Sequence, residues 1–132
     1  MDNAVHETIE LSLPLNGAYV SAARLTASSI ANRQNFDIDE MEDIKYAVSE
    51  ACTFLIKKLP NSKTSFVIRF VIAHNRLTIQ LSLNTPTDFT YSDDEMSILM
   101  IKGLMDDFLT AFDEEGNFFI RFSKEHVDIS FE

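Results

Sequence analysis

The chain contains a single cysteine, Cys52, among its 132 residues. One thiol cannot form an intramolecular disulfide, so the small secreted scaffolds that depend on disulfides are excluded and a reducing compartment is expected. Basic residues are also scarce, because 11 lysines and arginines face 21 acidic residues and leave a net charge of −10. Such a surface repels phosphates, which disfavours nucleic acid and anionic membranes as partners and favours a basic protein surface. The simpler alternative is that the charge keeps a cytosolic domain soluble.

Long apolar runs are missing as well. No stretch is long enough to cross a bilayer, and residues 1–7 lack the basic start and the apolar run of a signal peptide. We therefore expect a cytoplasmic protein. With 132 residues and 45% hydrophobic side chains, the composition predicts one globular domain over residues 1–132 with a single core.

Hydrophobic periodicity in the first half of the chain predicts one strand followed by two helices. Apolar and polar residues alternate over residues 7–13, as in a strand with one buried face. The period then becomes helical over about residues 17–34, where the inward stripe is rich in alanine. A second helix is predicted from Asp37 to about Lys58, because Asp37 and Glu40 form a variant of the capping box.

The second half of the chain predicts a hairpin, a third helix and two further strands. Residues 64–73 and 76–83 alternate in phase and are separated by a tight turn. The third helix is predicted to start in the acidic segment 92–95 and to continue to about Asp107. A strand follows over residues 118–124. A last alternating stretch consists of Val127, Ile129 and Phe131.

The predicted order of elements, β-α-α-β-β-α-β-β, is typical of an α+β fold built from two layers. We expect a mixed, mostly antiparallel sheet with the three helices on one of its faces. At about 100° per residue, Glu50 and Phe54 share the polar side of the second helix. Phe54 is the apolar exception there. Its position predicts that a lid, a loop or another protein covers this side of the helix.

Three segments together resemble a known family. They are residues 23–33 (ARLTASSIANR), residues 41–53 (MEDIKYAVSEACT) and residues 101–107 (IKGLMDD). Their order and spacing resemble the anti-sigma factor serine kinases of the RsbW type, members of the ATP-binding superfamily that includes gyrase and sensor histidine kinases. The resemblance covers nearly the whole chain. It implies a histidine-kinase-like ATPase fold, a sigma factor or an anti-sigma antagonist as partner, and a possible homodimer.

The first site box of that family is altered in this chain. The resemblance implies a glutamate that acts as general base, followed four residues later by an asparagine that helps to hold magnesium. Glu50 matches the glutamate, but position 54 is Phe54. Phenylalanine has no lone pair for a magnesium ion and adds bulk where the ion would lie. Glu50 is then a relic of the general base or a solvated helix residue.

The other two boxes are altered too. A D-x-G pattern that binds adenine is matched by Leu83, Asn84 and Thr85, and leucine cannot accept a hydrogen bond from the adenine amino group. Asn84 or Asp88 could take that role only after a register shift. The glycines of a phosphate-binding turn fall on Glu95 and Ser97. A carboxylate there repels the phosphates by on the order of 1 kcal/mol or more at the dielectric of a protein surface.

Losses in all three boxes predict a non-catalytic, anti-sigma-factor-like regulator that acts by protein–protein binding in bacterial transcription control. No cofactor is expected under this hypothesis, and no metal. An active serine kinase with a rearranged ATP site is the alternative, and it alone requires ATP and magnesium. A third possibility is that the old pocket takes another small ligand. Arg24 matches a family arginine that contacts partner proteins, and its guanidinium can pair with a partner carboxylate. An exposed arginine without a lasting contact is the simpler alternative.

The remaining candidate residues suggest little chemistry. The three histidines, His6, His74 and His126, have no ligand spacing in the sequence, so a metal site is not expected. Cys52 falls on the predicted core face of the second helix, where it acts as a small hydrophobe. Three apolar residues fall partly outside the inward stripe of the third helix: Met96, Leu99 and Met100. They indicate either a surface for a partner protein or packing against a lid.

Overall fold

A computed structural model describes residues 6–127 of the chain. The first half forms β1 (Glu7–Pro14), a short 3₁₀ helix (Gly17–Tyr19), α1 (Val20–Arg33) and α2 (Ile38–Lys58). The second half forms β2 (Ser65–Ala73), β3 (Arg76–Leu83), α3 (Met96–Leu104), β4 (Asp107–Phe112) and β5 (Phe118–Glu125). Of the last predicted strand, Val127 is exposed and not in a strand, and Ile129 and Phe131 lie outside the described residues.

The five strands form one sheet in the order β1-β2-β3-β5-β4, and every neighbouring pair is antiparallel. The expected α+β architecture with three helices is confirmed, and the sheet is antiparallel throughout rather than mixed. The predicted hairpin is confirmed as well, since Ala73 pairs with Arg76 and Phe66 pairs with Leu83. Alternate residues of β2, β3 and β5 are buried, as expected for strands with one face against the helices.

Local signals position the two long helices. At the start of α2, Asp37 accepts a hydrogen bond from the Glu40 amide and Glu40 accepts one from the Asp37 amide, both at 2.8 Å. The capping box is therefore complete. The predicted stripe of α1 is buried at Ala23 and Ala27, which lets α1 and α2 pack closely.

The third helix is shorter than its sequence pattern predicted. α3 ends at Leu104, and the chain then forms β4, which the sequence analysis missed. Two contacts with β5 explain the early end. The Lys124 ammonium donates to the Leu104 carbonyl oxygen at 2.6 Å, and the Asp106 amide donates to the Ser123 carbonyl at 2.9 Å. Because these partners lie far along the chain, strand pairing overrides the local helical pattern.

Candidate functional site

Phe54 lies on the polar side of α2, and its side chain is only 2% exposed. Three aromatic rings surround it, with centroid distances of 6.3 Å to Phe89, 5.9 Å to Tyr91 and 6.1 Å to Phe118. Phe89 and Tyr91 belong to the segment that joins β3 to α3. This segment is the cover that the apolar residue on the polar side predicted.

The rings form one packed group, which we call the aromatic cluster and define as Phe54, Phe89, Tyr91, Phe112 and Phe118. Phe118 lies at its centre, 4.9 Å from Phe89 and 5.2 Å from Phe112. The Tyr91 hydroxyl is hydrogen-bonded to the Thr110 hydroxyl at 2.7 Å, so its polar end is satisfied. Phe54 could be identified from the sequence, but its loop partners could not, because isolated aromatic residues in a loop carry no periodic signal.

Glu50 lies one turn before Phe54 on α2, and its carboxylate accepts a hydrogen bond from the Ser97 hydroxyl at 2.9 Å. Ser97 is in the first turn of α3. Both side chains are half-buried. The Glu50 side chain is therefore held by a hydrogen bond from α3. The structure brings together two positions that the sequence analysis had assigned to separate boxes.

Glu95 precedes α3 and is paired with Lys58, whose ammonium lies 2.7 Å from the Glu95 carboxylate. The hydrogen bond from Lys58, followed by one from the Ser92 amide, holds the pKa of Glu95 below its usual range. The same ammonium donates to the Thr90 carbonyl at 3.0 Å and lies 5.5 Å from the centroid of the Phe54 ring. Lys58 thus holds the segment between β3 and α3 against the end of α2.

The remaining box positions lie at the end of β3. Leu83 is buried in the core, whereas Asn84 and Thr85 are exposed. The Asn84 side chain donates to the Ser65 hydroxyl at the start of β2. These residues do not join Phe54 and Glu95 in one pocket.

The cavity beside Phe54 measures about 190 Å³. Small-molecule sites in proteins typically measure about 300–1,000 Å³. The lining contains Lys57 and Lys58 from α2 together with Glu95, Met96 and Ser97. The space is small, and part of its charge is already neutralised by the Lys58–Glu95 pair.

Arg24 lies in a groove of about 320 Å³ between α1 and α2, lined also by Tyr46, Ser49 and Glu50. One guanidinium nitrogen donates to the Ser49 hydroxyl at 3.1 Å. Among residues 6–127, no carboxylate forms an ion pair with Arg24. A guanidinium carries five N–H groups, so most of its donors remain available to a partner.

Cys52 is fully buried, and its desolvation raises the pKa of the thiol to about 12. A thiol in that state is no nucleophile at neutral pH, in agreement with its prediction as a core residue. Within the described part of the chain, no three histidine, cysteine, aspartate or glutamate side chains are grouped to hold a metal ion. His74 and His126 nevertheless line one cavity, whereas His6 is exposed next to β1.

The outer side of α3 is apolar and exposed. Met96 is 70% and Leu99 is 48% exposed, and Met100 is half-buried. Packing under the covering segment therefore does not account for Met96 or Leu99. Over residues 6–127, no helix is both long enough and apolar enough to span a bilayer.

Comparison with known proteins gives one consistent set of relatives. No family model matches the chain. Serine-protein kinase RsbW from Bacillus thuringiensis (strain Al Hakam) is 38% identical over 79 residues, which cover 59% of this chain and 49% of the relative. The protein of the same name from Bacillus mycoides (strain KBAB4) matches with the same identity and coverage. The chain thus spans about half the length of the curated relatives it matches.

A solved structure supports the fold. The crystal structure of the RsbU and RsbW domains of Rv1364c from Mycobacterium tuberculosis superposes with a TM-score of 0.72 over 91% of this chain and 32% of that chain. The sequence identity is 11%, so this likeness concerns the fold alone.

Proposed function

We propose that the chain is an anti-sigma-factor-like regulator in bacterial transcription control, because it resembles RsbW serine-protein kinases in sequence and an RsbW-containing structure in fold. It acts by binding another protein, a sigma factor or an anti-sigma antagonist. Its nucleotide site is degenerate, so it has no kinase activity and needs neither ATP nor magnesium.

The observation that carries this proposal is the burial of Phe54 in the aromatic cluster. The family box requires a magnesium ligand at this position, and a ring that is 2% exposed among three other rings supplies none. Moving the ring out would break the packing of Phe89 and Tyr91 together with it. These residues do not fit a magnesium–nucleotide complex.

The other box positions support the same proposal. Leu83 is buried and apolar where the family has an aspartate that binds adenine. Glu95 carries a charge that repels phosphates, and its pairing with Lys58 removes a cation that a phosphate would need. Three parts of one site therefore disfavour the nucleotide for three separate reasons.

The proposed partner surface lies on the helical layer. Arg24 offers unpaired donors in the groove between α1 and α2. Exposed apolar side chains of α3, Met96 and Leu99, add area suited to contact with another protein. In this proposal Arg24 binds a partner carboxylate, and the net charge of −10 favours a partner with a basic surface around that contact.

Calorimetry tests the loss of the nucleotide site. We expect no binding of magnesium–ATP at micromolar concentrations, with an RsbW relative as the positive control on the same instrument. A micromolar dissociation constant would overturn the proposal. Capture of a sigma factor or an antagonist from a bacterial lysate, compared between the wild type and Arg24→Glu, tests the partner surface. Unchanged capture by Arg24→Glu would remove Arg24 from the interface.

The alternative is an active serine kinase with a rearranged ATP site. Two observations favour it: the curated relatives are named serine-protein kinases, and Glu50 is held in place by Ser97. Transfer of labelled phosphate from ATP to an antagonist protein would establish this alternative. In that case Glu50→Gln should abolish the transfer, because a carboxamide cannot act as a general base.

A further inference from the structure

β4 lies at one edge of the sheet and pairs with β5 alone. The Asp113 amide, directly after β4, donates to the Asn117 carbonyl, directly before β5, at 2.9 Å. The bonds of an antiparallel ladder involve alternate residues, so Leu109 and Ala111 bond to β5 as well. The residues between them point their backbone N–H and C=O groups away from the sheet: Phe108, Thr110 and Phe112.

The outward backbone groups of β4 have no hydrogen-bond partner among residues 6–127. The segment between β3 and α3 contacts β4 through side chains. The Tyr91 hydroxyl meets the Thr110 hydroxyl at 2.7 Å, and the Phe89 ring lies 6.3 Å from the Phe112 ring. Leu109 and Phe112 are each 44% exposed. The backbone of this edge can therefore pair with another strand.

The other edge of the sheet, β1, is protected by its sequence. It carries Glu7 and Glu10 and ends at Pro14. Charged side chains and proline prevent the edges of natural sheets from pairing with another chain. Residues 108–112 contain neither, since their sequence is FLTAF. β4 is therefore the edge at which an added strand meets no such obstacle.

Acidic residues flank the uncharged part of β4 on both sides. Asp106 and Asp107 precede it, and residues 113–115 (DEE) follow it. Asp107 forms an ion pair with Arg76, and the remaining carboxylates of this group form none within residues 6–127. Basic residues at the two ends of an added segment therefore meet a negative field at each end of β4.

The middle of β4 has the opposite character, because two cations lie beside it. The Lys102 ammonium lies 5.6 Å from the centroid of the Phe108 ring, and Arg121 is the cross-strand neighbour of Leu109. These cations repel a basic side chain in the centre of an added segment, whereas β-branched side chains can pack there. The charges along β4 therefore favour a segment with an uncharged centre and basic ends.

A second copy of this chain fits the edge poorly. The antiparallel pairing that uses all of residues 108–112 in both copies is centred on Thr110. It brings Asp107 of one copy opposite Asp113 of the other, at both ends of the pair. Like charges directly opposite each other destabilise paired strands, and each copy carries a net charge of −10.

We propose that β4 binds an extended segment of another protein, with about five uncharged residues between basic ends, which adds a strand to the sheet. Main-chain hydrogen bonds to Phe108, Thr110 and Phe112 supply the affinity. The acidic flanks select segments that have lysine or arginine at both ends. This edge shares no residue with the groove of Arg24, so the proposal does not depend on the proposed function.

Nuclear magnetic resonance titration of the isotope-labelled chain with the blocked peptide Lys-Thr-Val-Thr-Val-Thr-Lys tests the binding. We expect saturable shifts of the Phe108, Thr110 and Phe112 amides and their protection from hydrogen exchange, with a dissociation constant of about 1 mM or tighter. The matched peptide Glu-Thr-Val-Thr-Val-Thr-Glu should bind at least about tenfold more weakly, because its ends meet the acidic flanks.

Two variants at one position isolate the outward N–H group. Thr110→Pro and Thr110→Val both lose the hydroxyl that meets Tyr91, but only the proline lacks the N–H. Proline is tolerated on an edge strand where the N–H faces solvent. Thr110→Pro should therefore weaken binding of the lysine peptide at least about fivefold, and Thr110→Val should leave it unchanged.

A proline on the other edge is the matched control. The Leu15 amide donates to the Thr64 carbonyl at 3.1 Å, so Leu13 bonds to β2 in the same ladder and the Ser12 N–H points outward. Ser12→Pro should leave the affinity for the lysine peptide unchanged.

Four results would overturn the proposal. The first is the absence of saturable shifts at the three outward amides of the wild type, and the second is equal affinity for the two peptides. Both are measured on the unaltered chain and so decide the question even if Thr110→Pro does not fold. The third is equal binding by Thr110→Pro and Thr110→Val. The fourth is a wild-type dimer in sedimentation that Thr110→Pro dissociates, which would assign β4 to a second copy.

Discussion

The two ends of α2 differ in the contacts that their side chains make. At its carboxyl end, Phe54 packs among aromatic rings, and the nearby Lys58 ammonium is bonded to Glu95 and Thr90. At its amino end, Glu40 completes the capping box with Asp37 and lies 2.8 Å from the His126 ring. The first end is closed by packed rings, and the second is held by hydrogen bonds between polar groups. The region that resembles a nucleotide site is therefore filled by side chains of the chain itself.

Phe54→Ala should disrupt the packing at the closed end of α2 and cause the largest loss of unfolding free energy. Removing a buried aromatic ring costs about 3–5 kcal/mol of unfolding free energy, because the neighbouring rings cannot fill the space. Urea denaturation followed by circular dichroism measures the change. Phe112→Ala is the control, since that ring belongs to the same cluster but is 44% exposed. If both variants lost the same stability, the closed end would not depend on Phe54.

Glu40→Ala should weaken the amino end of α2 and cause an intermediate loss of unfolding free energy. The change removes half of the capping box and the acceptor for His126, so we expect a loss of about 1–2 kcal/mol. Thermal and urea unfolding measure it. Glu42→Ala is a suitable control, because Glu42 is exposed and pairs with Lys45 three residues along the helix, where the cost should stay below about 0.5 kcal/mol. Equal losses in the two variants would contradict the role of Glu40.

Glu95→Gln should produce the smallest effect, visible only in acid. The pKa of Glu95 is lowered in the folded state, chiefly by the hydrogen bond from Lys58. The contribution of the ionised carboxylate is therefore complete above the unfolded pKa and is lost as the pH falls through the folded pKa. Melting temperature measured against pH should fall more steeply in the wild type than in Glu95→Gln over that acidic range. Parallel curves would show that the pair adds nothing to stability.

The parts of the fold that depend on residues close together in the chain could be predicted from the sequence. The hairpin of β2 and β3 follows from in-phase alternation around a tight turn, and the start of α2 follows from Asp37 and Glu40. β4 was missed because its partner is β5 and because the apolar run of α3 continues past Gly103 to Met105. Tertiary pairing, not local propensity, decides that boundary.

Only part of the candidate site could likewise be predicted from the sequence. Phe54 stood out because one apolar residue on a polar helix side is a local signal, and its cover was correctly expected. Its partners Phe89 and Tyr91 lie in a loop with no period, so the sequence could not identify them. The cavity lined by His74 and His126 could not be predicted from the sequence, for a further reason. Gln34, His74 and His126 come from three distant segments, and only the antiparallel register brings them together.

Lys124 has a consequence for motion in the helical layer. Its ammonium reaches from β5 to the last turn of α3 at Leu104 and also lies 3.1 Å from the Asp43 carboxylate on α2. One side chain thus joins the sheet to two helices, and only 14% of it is exposed. A shift of α3 away from the sheet would break the hydrogen bond between this ammonium and the Leu104 carbonyl, which costs free energy because the ammonium is largely buried. The sheet, α2 and the end of α3 should therefore fluctuate as one body, with slower excursions confined to the outer turns of α3.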